Sequence, residues 1–300
     1  MPQGPLSGVK IIELAGIGPG PHCCMMLSDL GADVIRVERA ATGAPQRTNV
    51  LNRGRKNIVV NMKHAKGPEI IKKLVKDADG LVEGFRPGVI EKLGIGPDVL
   101  LEANPALVIG RMTGWGQEGP MAHAAGHDIN YISLSGALHA IGRKGGRPVP
   151  PLNLVGDFGG GGMLMAYGML AGIIQARTSG KGQVIDAAMV DGSAALLAPT
   201  FGSVASFKPG SDKPWGFDDQ NRGSNLLDTG SHFYDTYETS DGKYISIGSI
   251  EPQFYALLLK LGGMSDIPEL ASDKQLNRND WPMQKKIVED IFRQKTRDEW

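Results

Sequence analysis

Three hundred residues give enough chain for one large domain or two ordinary ones. Basic and acidic residues balance at 32 each, which excludes the basic excess of a nucleic-acid binder. Forty-two glycines favour a loop-rich α/β enzyme over a helical bundle, and the two adjacent cysteines, Cys23 and Cys24, exclude a disulfide framework and point to a reducing, cytoplasmic compartment.

Short, β-branched, turn-bounded apolar runs at 9–14, 33–38, 80–85 and 106–112 read as buried parallel strands. Helical patterns fall between them at 22–30, 67–77 and, with a break, 88–103; Pro68 suits a first helical turn. Such alternation predicts right-handed βαβ crossovers and a doubly wound sheet over residues 1–198. A long helix is expected from Asp157 through MLMAYGMLAGIIQAR, ending before Thr178-Ser179-Gly180. Residues 199–225 mix Gly, Pro, Asp, Asn and Ser without periodicity and read as an irregular connector. Beyond it, 226–300 reads as a small α+β domain, with a hairpin in 234–250 about Asp241-Gly242 and a helix over 252–262. The closing KTRDEW is expected to be helical. No apolar stretch reaches membrane-span length, and MPQGPLSGVK has no signal-peptide core.

The first strand runs into AGIGPGPH (15–22), and Glu38 closes the next strand where a ribose-binding acid would stand. The dinucleotide pattern nevertheless fails, because Pro21 occupies the place of the third glycine and two prolines remove N–H donors from the turn. Arg36 and Arg39 flank Glu38, and LNRGRKN (51–57) adds three cations. These are either a solvated face or a nucleotide-phosphate site at the carboxyl ends of the strands.

PLSGVKIIELAGIGPGPHCCMMLSDLGADVIRVER, NRGRKNIVVNMK, EGFRPGVIEKLGIG, RMTGWGQEGP, AGHDINYISLSG, PLNLVGDFGGGG and GKGQVIDAAMVDG together resemble the class III CoA-transferase family, and most of all its α-methylacyl-CoA racemase branch. The resemblance runs from residue 5 to the end. It implies a Rossmann-like large domain that binds coenzyme A, a small domain, an interlocked homodimer, and epimerisation of 2-methylacyl-CoA thioesters without cofactor or metal. Family chains run past position 300, so a further C-terminal piece returning to the large domain is expected. The family's nucleotide contacts fall on Arg39, Lys63, Arg86 and Lys92, the last often arginine elsewhere. Ile17, Val60, Gly84, Gly126, Asp128 and Tyr131 complete the implied CoA site.

His127 stands at the start of a helical pattern, and Asp157 at the mouth of a glycine run. From spacing alone, the first could be a surface group and the second an N-cap. The four glycines after Phe158 exceed what a cap needs and allow close approach of backbone or ligand. Both residues match the racemase branch, whose His and Asp exchange the α-proton on opposite faces. Transferase relatives lack that His and use the Asp as a nucleophile, which is the alternative reading. Inversion at a weakly acidic carbon needs two proton carriers. Histidine serves at ~6.5, whereas aspartate at ~3.9 needs an apolar or crowded site to raise it. Backbone N–H groups near Asp128 are the expected enolate donors.

Glu251 could cap the helix at 252–262; the resemblance implies instead that it reaches a neighbouring subunit's site and orients His127. His123 and His127 share a helical spacing, but the glycine in HAAGH and the missing glutamate argue against metal. SGKG (179–182) reads as a turn. His22, His64, His139, His232 and Asp191 read as structural.

Overall fold

Alternate side chains of a strand point to opposite faces of its sheet. In β1 (Lys10–Leu14), Ile11 and Ile12 therefore enter separate hydrophobic cores, each with no exposed surface. The computed structural model describes residues 4–40 and 49–300 and contains the sheet that two such cores require. β1, β2 (Asp33–Glu38), β3 (Arg55–Val59), β4 (Gly80–Glu83), β5 (Val108–Thr113) and β6 (Gln183–Ala188) are parallel, in the order β3-β2-β1-β4-β5-β6. Winding reverses between β1 and β4. Ligand crevices in open sheets lie outside the carboxyl ends of the strands at such a switch point.

The helices of this unit follow the chain as α1 (Pro19–Asp29), α2 (Gly67–Val75), α3 (Val89–Lys92), α4 (Pro97–Ala103) and α5 (Asp128–Leu134), after which the one-turn α6 (Ala137–Ala140) leaves it. A wide π-type helical segment, Leu154–Met163, then runs into α7 (Leu164–Ser179), and α8 (Met189–Leu196) follows β6. α1 and α7 supply Cys23, Leu27, Met165 and Met169 to one core, while α2 and α4 supply Ile71, Val75 and Leu100 to the other.

Four expectations change at this point. α1 begins at Pro19 rather than 22, because prolines in a first turn have no helical N–H bond to lose. β3 lies within the basic stretch read only as a solvated face or a phosphate site; it is the edge strand, and charged side chains suit an edge. The long helix opens three residues before Asp157, as the π segment. Residues 138–150, expected within 1–198, cluster with the second unit: the chain divides into residues up to Ala137 with Pro151–Leu196, and Leu138–Pro150 with Leu197–Trp300. Arg143 explains the regrouping by pairing with Asp235 at 2.5 Å, as does Arg222, which donates to the carbonyls of His139 and Gly146.

After Leu138–Pro150 the second unit resumes with α9 (Ala198–Ser206), so the connector is helical at its start. A hairpin of β7 (Tyr234–Glu238) and β8 (Tyr244–Gly248) turns with Gly242 at φ +69°. α10 (Pro252–Leu261) and α11 (Trp281–Phe292) pack on it around Phe233, Tyr237, Tyr255 and Trp281. KTRDEW is not helical. Thr296 donates from its N–H and hydroxyl to Glu299, a local bond that competes with helix, and Trp300 donates to the Phe292 carbonyl at 2.8 Å.

His232 is wholly buried in this core. Tyr255 donates to the Leu270 carbonyl at 2.9 Å, so the 2.7 Å contact requires His232 Nε2–H to donate to the Tyr255 oxygen. Nδ1 stays bare. Burial, with a smaller effect of Lys285, pulls the His232 pKa down to about 3. The unfolded chain takes up a proton below ~6.5 that the fold refuses. Stability from this residue is therefore complete above that pH and declines as pH falls from ~6.5 towards 3, by about 1.4 kcal/mol per unit. Urea midpoints followed from pH 7 to 4 should show this slope, and His232→Gln should flatten it. An unchanged slope in the variant would contradict the assignment.

Candidate active site

A cavity of about 540 Å³ opens at the carboxyl ends of β1, β4 and β5. The glycine turn, Gly84 to Pro87 and Met112 to Trp115 form its walls, and Gly126, His127, Tyr131, Asn153 and Asp157 also line it. The two residues singled out for proton chemistry thus share one cavity.

His127 is the exposed N-cap of α5, with extended backbone (φ −133°, ψ 172°). Its N–H donates to the Asn130 side chain at 3.0 Å, and its carbonyl accepts the Asn130 N–H at 2.8 Å. The backbone is therefore fixed while the imidazole faces the cavity. His123 lies in the turn before α5, so the two histidines do not share a helix face. Tyr131 packs edge-on to Trp115 (4.8 Å) and donates to the Gly126 carbonyl at 2.5 Å. A Cβ on Gly126 would sit 2.7 Å from the Tyr131 ring, which is why glycine stands there.

Asp157 is half-buried on the π segment, a helix type that recurs at functional sites. Asn153 donates to its Oδ2 at 3.1 Å, and the Asp157 N–H donates to Asp128 Oδ2 at 2.7 Å. Burial pushes the Asp157 carboxyl above the usual carboxylate range, aided by the Asp128 charge and opposed by the Asn153 bond and His127. The crowding that a neutral-pH aspartate needs is in place.

The glycines after Phe158 serve backbone packing. A Cβ on Gly160 would meet the Ser193 nitrogen at 2.6 Å, and one on Gly192 would meet the Gly160 oxygen at 1.8 Å. The π segment and α8 touch through bare backbone, which holds Asp157 on a rigid seat.

The cations around the glycine turn divide into two groups. Arg36 and Arg55 are both engaged by the buried Glu13 at the cavity floor, Arg55 Nε at 2.9 Å, and Arg36 also holds Glu38 at 2.6 Å. Arg53 pairs with Asp29 at 2.5 Å and Lys56 with Asp33 at 2.8 Å. Of the three cations of LNRGRKN, Arg55 is structural, its side chain buried, whereas Arg53 and Lys56 form exposed ion pairs on a solvated face. Arg39, Lys63, Arg86 and Lys92 are exposed and belong to no ion pair among the described residues. Arg39, Lys63 and Arg86 follow β2, β3 and β4 at the carboxyl ends of the strands. Arg86, Ile17 (90% exposed) and Gly84 line the cavity, whereas Arg39, Val60, Lys63 and Lys92 do not.

Asp128 is buried beneath Asp157 and does not line the cavity. Glu251 belongs to the second unit, as the exposed N-cap residue of α10, and its side chain makes no capping bond. Asn153 and the Asp128 side chain escaped the reading of the sequence. Asn153 carried a usable signal, four residues before Asp157 and so on the same helical face.

Residues 6–300 match CoA-transferase family III. The chain belongs to that family. Among family relatives, the α-methylacyl-CoA racemase of Mus musculus is 46% identical over 98% of this chain and 74% of its own length. The succinyl-CoA:glutarate CoA-transferase of Homo sapiens is 35% identical over 92% of this chain and 62% of its own. A crystal structure of a CAIB/BAIF family protein from Brucella suis superposes with a TM-score of 0.77 at 26% identity, covering 99% of this chain and 80% of that one. Within the family, the mixed α/β architecture with a parallel six-stranded sheet is therefore shared.

Proposed function

We propose that this family member is an isomerase that epimerises 2-methylacyl-CoA thioesters by 1,1-proton transfer through an enolate. The observation that carries the reading is the meeting of His127 and Asp157 in one cavity at the switch point of the sheet. One removes the α-proton and the other returns it to the opposite face. The raised proton affinity of Asp157 brings it towards the range of histidine, as a reversible exchange needs. Among the described residues the Asp128 and Ile129 N–H groups at the start of α5 have no partner, whereas the Asn130 N–H is held by the His127 carbonyl. The Asp128 and Ile129 N–H groups are assigned to the enolate oxygen. No oxidation state changes, so the proposed reaction takes no redox cofactor; it takes no metal either. The 46% identity to a racemase supports this reading, and the 35% identity to a transferase keeps a CoA-transferase with nucleophilic Asp157 as the alternative.

The reading includes a homodimer in which Glu251 orients His127 of the partner subunit. Met163 at the end of the π segment and Tyr167 and Ile174 of α7 support an assembly, since these apolar side chains lie on an outer face, 57, 72 and 68% exposed. No helix of the described residues is long and apolar enough to cross a membrane. Cys23 and Cys24 are free and buried, in keeping with a cytoplasmic protein.

One epimer of a 2-methylacyl-CoA incubated with the protein in heavy water tests the reaction. Proton NMR should show loss of the α-proton signal and growth of the other epimer. Retention of the proton, with CoA passed to a free acid and Asp157 trapped by hydroxylamine, would favour the transferase.

Arg39, Lys63 and Arg86 are assigned to the CoA phosphates. A charge-assisted contact contributes ~1.5–3 kcal/mol. Arg39→Ala should therefore raise KM for the thioester about ten-fold or more and leave kcat nearly intact. An unchanged KM would remove Arg39 from the site.

A further inference from the structure

We infer that the Asp128 side chain is a positioning residue that locks the turn carrying Asp157 onto the helix start carrying His127. The inference rests on the racemase reading above, but its key measurement does not. Asp128 is 6% exposed, and its Oδ2 accepts the Asp157 N–H at 2.7 Å. His127 precedes it directly, so a single hydrogen bond ties together the two segments that bear the proposed bases. Gly156 is shaped for this contact, because a Cβ there would lie 2.5 Å from Asp128 Oδ2.

The second carboxylate oxygen carries the other half of the argument. Asp128 Oδ1 is buried and has no hydrogen-bond partner among the described residues. Such an acceptor is unfavourable for stability alone, and a neutral side chain could accept the Asp157 N–H equally well. What asparagine could not supply is the negative charge beside Asp157. The groups facing Asp157 are His127 at the cap of α5, Asp128 and Tyr131 of α5, and Asn153 from its own segment; His22 of α1 lies tilted against the neighbouring Phe158, ring centroids 4.9 Å apart. α7 and α8 offer only Tyr167 and Asp191, both exposed, and Arg177, which is tied to Asp79; Asp186 of β6 accepts from Gln117. Glu13 and Glu83 share the cavity but are tied to Arg36 and Arg111, and Arg86 there is a cation. Among the described residues Asp128 is thus the carboxylate that raises the proton affinity of Asp157, adding to its burial. It keeps Asp157 protonated to higher pH while holding it in place.

The test uses the whole chain with Asp128→Asn, Asp128→Ala and Gly156→Ala. The Asp157 carboxyl is titrated by carbon-13 NMR without substrate, and kcat and KM for α-proton exchange are measured across pH. Asp128→Asn keeps an acceptor for the Asp157 N–H, so KM should hold while the Asp157 midpoint and the acid limb of kcat both move to lower pH. Asp128→Ala and Gly156→Ala should lose roughly ten- to hundred-fold in kcat, with asparagine restoring most of it. An Asp157 midpoint identical in wild type and Asp128→Asn would overturn the inference, as would an asparagine variant no better than alanine. If Asp128→Ala does not fold, the Asp128→Asn titration decides. Should the wild type exchange no α-proton, the racemase reading fails, while the titration still judges the contact.

Discussion

Asp157→Asn should lower the turnover of either epimer by ~10²–10⁴, the usual contribution of a positioned proton carrier. The amide keeps the size of the carboxyl and can still meet Asn153, so the seat built by the π segment and α8 is undisturbed. The backbone bond to Asp128 survives as well, because it comes from the Asp157 N–H. Melting temperature and KM should therefore stay close to wild type while kcat collapses. His127→Ala should lose a similar factor for a different reason. It leaves the N-cap backbone bonds with Asn130 in place, since these use the His127 N–H and carbonyl and not the ring. A nucleophilic mechanism predicts an asymmetry instead, with Asp157→Asn fatal and His127→Ala mild. Equal, large losses in both variants support two proton carriers; a mild His127 variant would contradict them.

Glu13→Gln should destabilise the sheet unit by about 3–5 kcal/mol, as expected when one partner of a buried ion cluster is removed. Glu13 is 1% exposed, and the Arg36 and Arg55 side chains are 8% and 0% exposed. One glutamate answers two guanidinium groups, and glutamine would turn N–H groups towards N–H donors. Arg55 also donates to the Pro21 carbonyl, and Arg36 to the Gly16 carbonyl at 3.4 Å, so the cluster braces the glycine turn. Urea unfolding should show the loss, and Glu13→Leu combined with Arg36→Met and Arg55→Met should recover much of it, because apolar replacements of a whole buried cluster are often tolerated. A Glu13→Gln midpoint equal to wild type would mean that the cluster is solvated and supports nothing.

The alternation of strands and helices was legible because buried parallel strands are short continuous apolar runs, and Ile11-Ile12 or Val34-Ile35 leave little choice. β3 was not legible, since an edge strand alternating Arg, Lys and Asn looks like a loop. The pairing of Arg36 and Arg55 with Glu13 was hidden for a deeper reason. Glu13 faces Arg36 only through the register of β1 with β2, and strand order is not written in local sequence. The glycine run was recognised as a close approach, yet its partner, Gly192 on α8, lies over thirty residues away. At the site, His127 and Asp157 stood out through motif and chemistry. Asp128 read as a helix-start residue of the implied CoA site, and its burial against Asp157 depends on two segments meeting in three dimensions.

The central claim is that two different residues serve the two faces of one carbon, and epimer-resolved exchange in heavy water tests it most directly. Each epimer is supplied separately to wild type, His127→Ala and Asp157→Asn, and deuterium at the α-carbon is followed together with configuration. Wild type should exchange and invert both. Each variant should fail to invert, but should still exchange, with retention, the one epimer faced by its surviving base, and the favoured epimer should be opposite in the two variants. Equal exchange of both epimers in both variants would contradict the assignment and require a third base.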